Sequence, residues 1–303
     1  MSRGLVIKNT GSLFLVQLED GSIVETNLRG RFRLKGIRST NPVVVGDVVG
    51  VEGESIVEIE PRKNYIIRKS SNLSKESHIL ASNIDQVFLV VTIKKPETPF
   101  EFIDRFLLTA NAYHIPVVIV LNKVDILDDD EMVLADAIKG LYQQNLGYKV
   151  IFSSVLTGEG VEEVRLMLKD KLSLFSGNSG VGKSSLLNAL DPSLELKVGD
   201  VSRQHQTGMH TTTYSEVFSI ADGKVIDSPG IKGFGIIDME ASDISKFFPD
   251  IAHYARNCRF DDCKHINEPN CAVLEALEQQ KIAVSRYNSY KSILLDLDEK
   301  KYR

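Results

Sequence analysis

Along residues 1–65 the apolar positions come in short runs, each closed by a turn signal. Segments 5–7, 13–17, 23–27, 43–45, 47–51 and 56–59 read as strands, with Asn9-Thr10-Gly11, Glu19-Asp20-Gly21 and Gly46-Asp47 as turns between them. No long 3.6-residue period occurs here. The pattern predicts a small closed barrel, of which the OB-fold is the common nucleic-acid-binding version. From about residue 75 the pattern changes. Segments 86–93 and 116–121 are nearly continuous apolar runs, and 149–153, 173–176 and 224–226 are shorter ones. Helical stretches over 102–112, 130–143, 161–172 and 183–190 lie between them. Buried strands alternating with helices predict a parallel sheet covered on both faces. After about residue 236 the strands stop, and helices are predicted over 272–281 and 284–297. The expected architecture is a multi-domain α/β chain: a barrel over 1–65, an α/β domain over 66–235 and a helical domain over 236–303.

Composition adds exclusions. The 303 residues carry 36 Lys and Arg against 41 Asp and Glu, for a net charge of −5, with 43% hydrophobic residues. That is globular composition, and it argues against a wholly basic nucleic-acid coat while leaving room for a local basic patch. The apolar runs are too short to span a bilayer, and the start lacks a secretory core, so a cytoplasmic protein without membrane partners is expected. With no coiled-coil pattern, a monomer is expected.

The sharpest motif is Gly177-Asn178-Ser179-Gly180-Val181-Gly182-Lys183-Ser184, followed by Ser185, which fits G-x-x-x-x-G-K-[ST] between a predicted strand and a predicted helix. Glycines let backbone N–H groups turn inward around an anion, and the helix N-terminus favours negative charge. Lys183 would reach the β- and γ-phosphates and Ser184 would hold Mg²⁺. This loop specifies a nucleotide without naming the base. Asn122-Lys123-Val124-Asp125, at the end of the 116–121 strand, resembles the NKxD motif of GTPases, in which the carboxylate matching Asp125 takes two donors from guanine. Adenine cannot supply both. Asp227-Ser228-Pro229-Gly230 resembles the DxxG motif, which puts Asp227 near Mg²⁺ and the Gly230 N–H at the γ-phosphate. Ser153-Ser154 resembles the short loop that contacts the guanine oxygen.

The order of these motifs is unusual. NKVD and the serine loop precede the phosphate loop, and DSPG comes last, as in a circularly permuted GTPase domain. Between phosphate loop and DSPG, residues 201–213 are polar. Thr211, Thr212 and Thr213 all offer a hydroxyl for Mg²⁺, with Thr211 or Thr212 favoured. Where many GTPases place a glutamine after DxxG, this chain has Ile231. His210 then has two readings, a water-positioning group or a residue that only shapes its loop, and His205 is a weaker candidate.

All three cysteines fall in Cys258-x4-Cys263-x-His265-x5-Cys271. Three thiolates and an imidazole suit one tetrahedral, structural Zn²⁺. Residues 29–38 gather Arg29, Arg31, Arg33, Lys35 and Arg38 around Phe32 with no acidic residue, a composition that fits phosphate contacts and base stacking. A solvated hairpin edge is the alternative.

Barrel, permuted GTPase domain and Cys/His domain in this order resemble the RsgA/YjeQ family of circularly permuted GTPases over essentially the whole chain. The most specific pieces are 177–190, Gly208-x-His210-Thr211-Thr212 and the cysteine spacing. The resemblance implies binding to the 30S ribosomal subunit and its 16S rRNA near the decoding region, hydrolysis of GTP to GDP stimulated by that subunit, a role in late subunit maturation and departure once the subunit is mature. A second reading is a nucleotide-gated RNA-binding adaptor, in which GTP acts mainly as a conformational ligand. A metabolic kinase is a third, opposed by NKVD and DSPG.

Overall fold

A computed structural model of the chain describes residues 1–11, 13–28, 42–69, 77–194, 196, 216–227 and 241–301. Five strands close the N-terminal barrel: β1 (Ser2–Asn9), β2 (Phe14–Leu18), β3 (Ile23–Leu28), β4 (Val48–Glu52) and β5 (Ser55–Ile59). The ring runs β1-β2-β3-β5-β4 and returns to β1, so no barrel edge is left open. Its interior is Val6, Phe14, Val16, Val43, Val49, Val51 and Ile56.

Segment 43–45, predicted as a strand, is not one. Its valines are buried, and only Val45 bridges another strand, at Ala81. Side chains serve this backbone in place of a ladder: the Asp47 carboxylate accepts the Val44 N–H at 2.9 Å, and Asn9 Nδ2 donates to the Val43 carbonyl at 2.8 Å. A hairpin the pattern did not reveal follows, β6 (Tyr65–Lys69) against β7 (Ser77–Ser82).

The α/β part contains β8 (Gln86–Val91), α1 (Phe100–Ala112), β9 (Val117–Asn122), α2 (Asp129–Lys139), β10 (Lys149–Ser153), α3 (Val161–Leu168), β11 (Leu172–Ser176), α4 (Lys183–Leu190), β12 (Glu216–Ile220) and β13 (Gly223–Asp227). Strands β10-β9-β8-β11-β13 are parallel, and β12 is antiparallel to β13. Every residue of β8 and β9 is buried, as expected of a sheet covered on both faces. One apolar layer lies under α1 and α2, and the other under α3 and α4. The predicted helix over 161–172 stops at Leu168, because Asp170 turns left-handed (φ 58°) and Leu172 already belongs to β11.

The chain runs from β8 through β9 to β10 on one side of the sheet, then restarts at β11 on the other side of β8. That reversal is the place where parallel sheets bind ligands, at the carboxyl ends of the strands. At the far side, β12 also pairs with β1, with Lys8 opposite Glu216 and their charges 3.0 Å apart, so barrel and α/β part share one sheet.

After residue 241 the described residues are helical or irregular: a 3₁₀ run over Ala241–Phe247, then α5 (Pro249–Ala255), α6 (Ala272–Glu278) and α7 (Val284–Lys301). Their core, with Ile244, Phe248, Ile251, Val273, Tyr290 and Ile293, takes in Leu108 of α1.

Candidate nucleotide site and metal centre

The phosphate loop follows β11 directly and ends at Gly182, the residue before α4. Its backbone admits no side chain at two points. A Cβ on Gly177 (φ 141°) would stand 2.1 Å from the Val90 carbonyl oxygen, and one on Gly182 (φ 96°) would stand 2.4 Å from Asn122 Nδ2. Lys183 Nζ donates to the loop's own carbonyls at Gly177 and Asn178, both at 2.7 Å. The ammonium is thereby held over the loop. Asn178 and Ser185 are half-buried, Ser184 is buried, and Ser179 and Gly180 are exposed.

The NKVD segment is stitched to this loop. Asn122, at the end of β9, donates through Nδ2 to the Val181 carbonyl at 2.8 Å. Lys123, left-handed at φ 64°, donates through Nζ to the Gly180 carbonyl at 2.7 Å and to the Lys95 carbonyl. Val124–Ile126 forms a 3₁₀ turn with Asp125 exposed. Helix α2 then starts on a capping box, Asp128 accepting the Glu131 N–H at 3.0 Å and Glu131 accepting the Asp128 N–H at 2.9 Å.

Ser153 ends β10 directly opposite Asn122 in the register. Asn122 Oδ1 and Ser153 Oγ are both buried without a hydrogen-bond partner among the described residues. Unsatisfied buried polar atoms are uncommon, and two on adjacent strand ends mark a place for a polar ligand edge. The Ser154 N–H is engaged by the Glu159 carbonyl at 3.0 Å, so a guanine oxygen at this turn would draw on its other donors.

His205, His210, Thr211, Thr212, Thr213, Gly230 and Ile231 lie outside the described residues, as does the side chain of Asp227. So do Arg29, Arg31, Phe32, Arg33, Lys35 and Arg38.

The four Cys/His ligand atoms of Cys258, Cys263, His265 and Cys271 all lie within 4.8 Å of one another. Cys258 Sγ is 3.9 Å from Cys271 Sγ and 3.5 Å from His265 Nδ1, and Cys271 Sγ is 3.4 Å from that nitrogen. Zn–S bonds of about 2.3 Å and Zn–N bonds of about 2.0–2.1 Å in a tetrahedron give edges of about 3.8 Å (S–S) and about 3.6 Å (S–N). The cluster therefore fits zinc. Tyr287 and Tyr290 of α7 hold the backbone of the loop, donating to the His265 and Lys264 carbonyls at 2.9 Å each. Burial pushes the Cys263 thiol up to about 12 and raises Cys271, and it lowers the His265 imidazole. A bound cation would reverse the thiol shifts by favouring the thiolates.

The RsgA GTPase family model matches residues 59–237, and the RsgA N-terminal domain model matches residues 3–57. The chain belongs to the RsgA GTPase family. Within the RsgA family it is 55% identical, over 99% of both chains, to the small ribosomal subunit biogenesis GTPase RsgA of Bacteroides fragilis. It is 48% identical to the protein of that name from Flavobacterium johnsoniae, over 99% of this chain and 94% of the relative. Among solved structures, YjeQ from Thermotoga maritima superposes with a TM-score of 0.80 at 34% identity, covering 98% of each chain. YloQ, described as a circularly permuted GTPase, superposes with a TM-score of 0.76 at 27% identity, covering 100% of this chain and 97% of that one. The RsgA fold thus accounts for barrel, permuted GTPase domain and Cys/His region together.

Sequence reasoning missed the segment between β8 and α1, whose Lys95 carbonyl receives Lys123. Its Lys-Lys-Pro composition signals a loop, but nothing in it signals that contact.

Proposed function

We propose that this protein binds guanine nucleotide at the carboxyl ends of β8–β11, hydrolyses GTP, and assists maturation of the small ribosomal subunit while bound to it and to its 16S rRNA. The observation that carries the reading is the double tie of the NKVD segment to the phosphate loop, Asn122 to Val181 and Lys123 to Gly180. A base-recognition loop and a phosphate-binding loop held in fixed relation measure one nucleotide between them. Asp125 selects guanine; adenine would leave its carboxylate poorly partnered, at a cost of about 1–3 kcal/mol. Lys183 and the loop N–H groups stabilise charge on the phosphates, and phosphoryl transfer needs mostly such positioning and electrostatics. Ser184, with Thr211 or Thr212 and Asp227, would hold Mg²⁺, which neutralises phosphate charge. His210 is the candidate for orienting water. The segment 29–38 supplies cations and an aromatic for rRNA, and one structural zinc braces the helical region. Working boundaries of 1–65, 66–235 and 236–303 follow.

The test is phosphate release from GTP and from ATP, with and without purified 30S subunits. Strong stimulation by 30S with GTP alone is expected. Tight GTP binding without stimulation would support the adaptor reading, which Ile231 in place of a catalytic glutamine favours.

A further inference from the structure

We propose that Lys94 is a positioning residue for guanine recognition, fastening the segment that backs Lys123 to the helix that follows Asp125; the inference rests on the nucleotide-site reading above. Segment 92–99 leaves β8 at the sheet's reversal point and closes on itself. The Thr98 N–H donates to the Thr92 carbonyl at 2.9 Å, and the Thr92 N–H donates to Thr98 Oγ1 at 3.1 Å. From this closed segment, three contacts reach out. Pro96 backs the phosphate loop, since a Cβ on Gly180 would stand 3.4 Å from Pro96 Cδ. The Lys95 carbonyl accepts Lys123 Nζ. Lys94 Nζ pairs with the Glu131 carboxylate and stands 3.9 Å from Asp128 Oδ2.

Glu131 and Asp128 are the capping box of α2. The Glu131 oxygen that takes Lys94 also takes the Asp128 N–H. Asp128 stands three residues after Asp125, so the box anchors one end of the base-recognition turn. Lys123 anchors the other end. Lys94 ties the two anchors together, because Lys94 and Lys95 are adjacent on the closed segment. The pair is partly shielded, with Lys94 28% and Glu131 27% exposed, so salt screens it less than an open surface pair. Lys94 is also the main reason the Glu131 carboxyl lies below its ordinary range.

Lys94→Met keeps the apolar stem and removes the charge. The expected result is a rise of about fivefold in the Kd for a fluorescent GDP analogue and in the KM for GTP, with kcat at saturating GTP and 30S unchanged. Lys94→Arg should restore both values, and about 1 M salt should narrow the difference between wild type and Lys94→Met. Glu131→Gln should give a similar rise and add little on top of Lys94→Met, and it carries the test if Lys94→Met does not fold. Unchanged Kd and KM, or a fall in kcat at constant KM, overturns the proposal. Asp125→Asn is the control, expected to exchange guanine for xanthine nucleotides. If it leaves base preference unaltered, the nucleotide-site reading falls and takes the proposal with it. If it behaves as expected while Lys94→Met binds like wild type, only the role of Lys94 falls.

Discussion

Two buried carboxylates stand at the two seams of the molecule, and they are satisfied differently. Asp47 lies where the barrel meets the β6–β7 hairpin. Arg62 clamps it with Nε at 2.6 Å and a terminal nitrogen at 2.7 Å, Ser82 Oγ donates at 2.6 Å, and the Val44 N–H donates at 2.9 Å. Both oxygens are fully engaged by near neighbours. Asp104 lies on α1, where the α/β part meets the helical part. Its Oδ1 accepts from Arg286 at 2.6 Å and Tyr142 at 2.7 Å, while Oδ2 has no hydrogen-bond partner of good geometry among the described residues. Arg286, on α7, must also serve Asp250, at 2.8 and 3.1 Å, and it stacks over Phe248. One seam distributes its charge over many donors. The other sets one guanidinium between two carboxylates, with the Tyr142 and Ser289 hydroxyls assisting at Asp104, and so has a single cation to lose.

The largest way to sharpen this contrast is to remove metal. Structural zinc sites carry apparent binding free energies of about 10–16 kcal/mol in small peptides. Purified protein should contain about one zinc per chain, and chelation or Cys263→Ser should raise hydrogen exchange across 256–271 and α7 while β1–β5 stay protected. Equal deprotection of the barrel would mean the seams are not separable.

Next is Arg286→Met, which leaves two carboxylates without their cation and should cost about 3–5 kcal/mol. Its pH dependence has a definite sign. Burial already pushes the Asp104 carboxyl above its usual range, against the pull of Arg286. Without that pull the folded-state pKa rises further. The stability this group contributes is then full below the unfolded value of about 4 and is lost as pH climbs through the folded one. Urea unfolding should show a larger deficit at pH 8 than at pH 5, and a pH-independent deficit would refute the account.

Asp47→Asn should cost less, about 1–3 kcal/mol. With its single oxygen turned to the Val44 N–H the amide keeps that bond, the Ser82 hydroxyl turns to accept from the amide nitrogen, and Arg62 keeps the Pro42 carbonyl at 2.9 Å. A loss greater than that of Arg286→Met would reverse the comparison. The smallest effect is expected for Lys8→Ala at the β1–β12 contact, below about 1 kcal/mol and shrinking with salt, because both side chains are more than a third exposed.

The sequence was most readable where local rules and burial agree. The runs in β8 and β9, the α4 start and the cysteine spacing all carry strong local signals. Val43–Val45 misled, because buried valines next to a turn look like a strand whether a ladder or the Asp47 and Asn9 side chains satisfy their backbone. The β6–β7 hairpin and β12 were missed, their apolar runs being short. At the nucleotide site the donors were legible as motifs. The acceptors were not, because Val181, Gly180 and Lys95 contribute carbonyl oxygens that any residue could supply. Arg286 was invisible for a related reason: a buried arginine and a solvated one look alike until Asp104, 182 residues away, is folded against it.

The pairing of β1 with β12 bears on how the chain assembles. Lys8 meets its partner only after 208 further residues have been made. On a ribosome the barrel can close early, since its ladders are local, but the strand that seams it to the rest of the sheet waits for nearly the whole α/β part. Non-local closures of this kind are slow. Until then β12, or the place where it belongs, presents an open strand edge of the sort that recruits other chains. A fragment lacking the barrel would keep that edge for good, and its poor solubility would be a property of the missing strand and not of the nucleotide site.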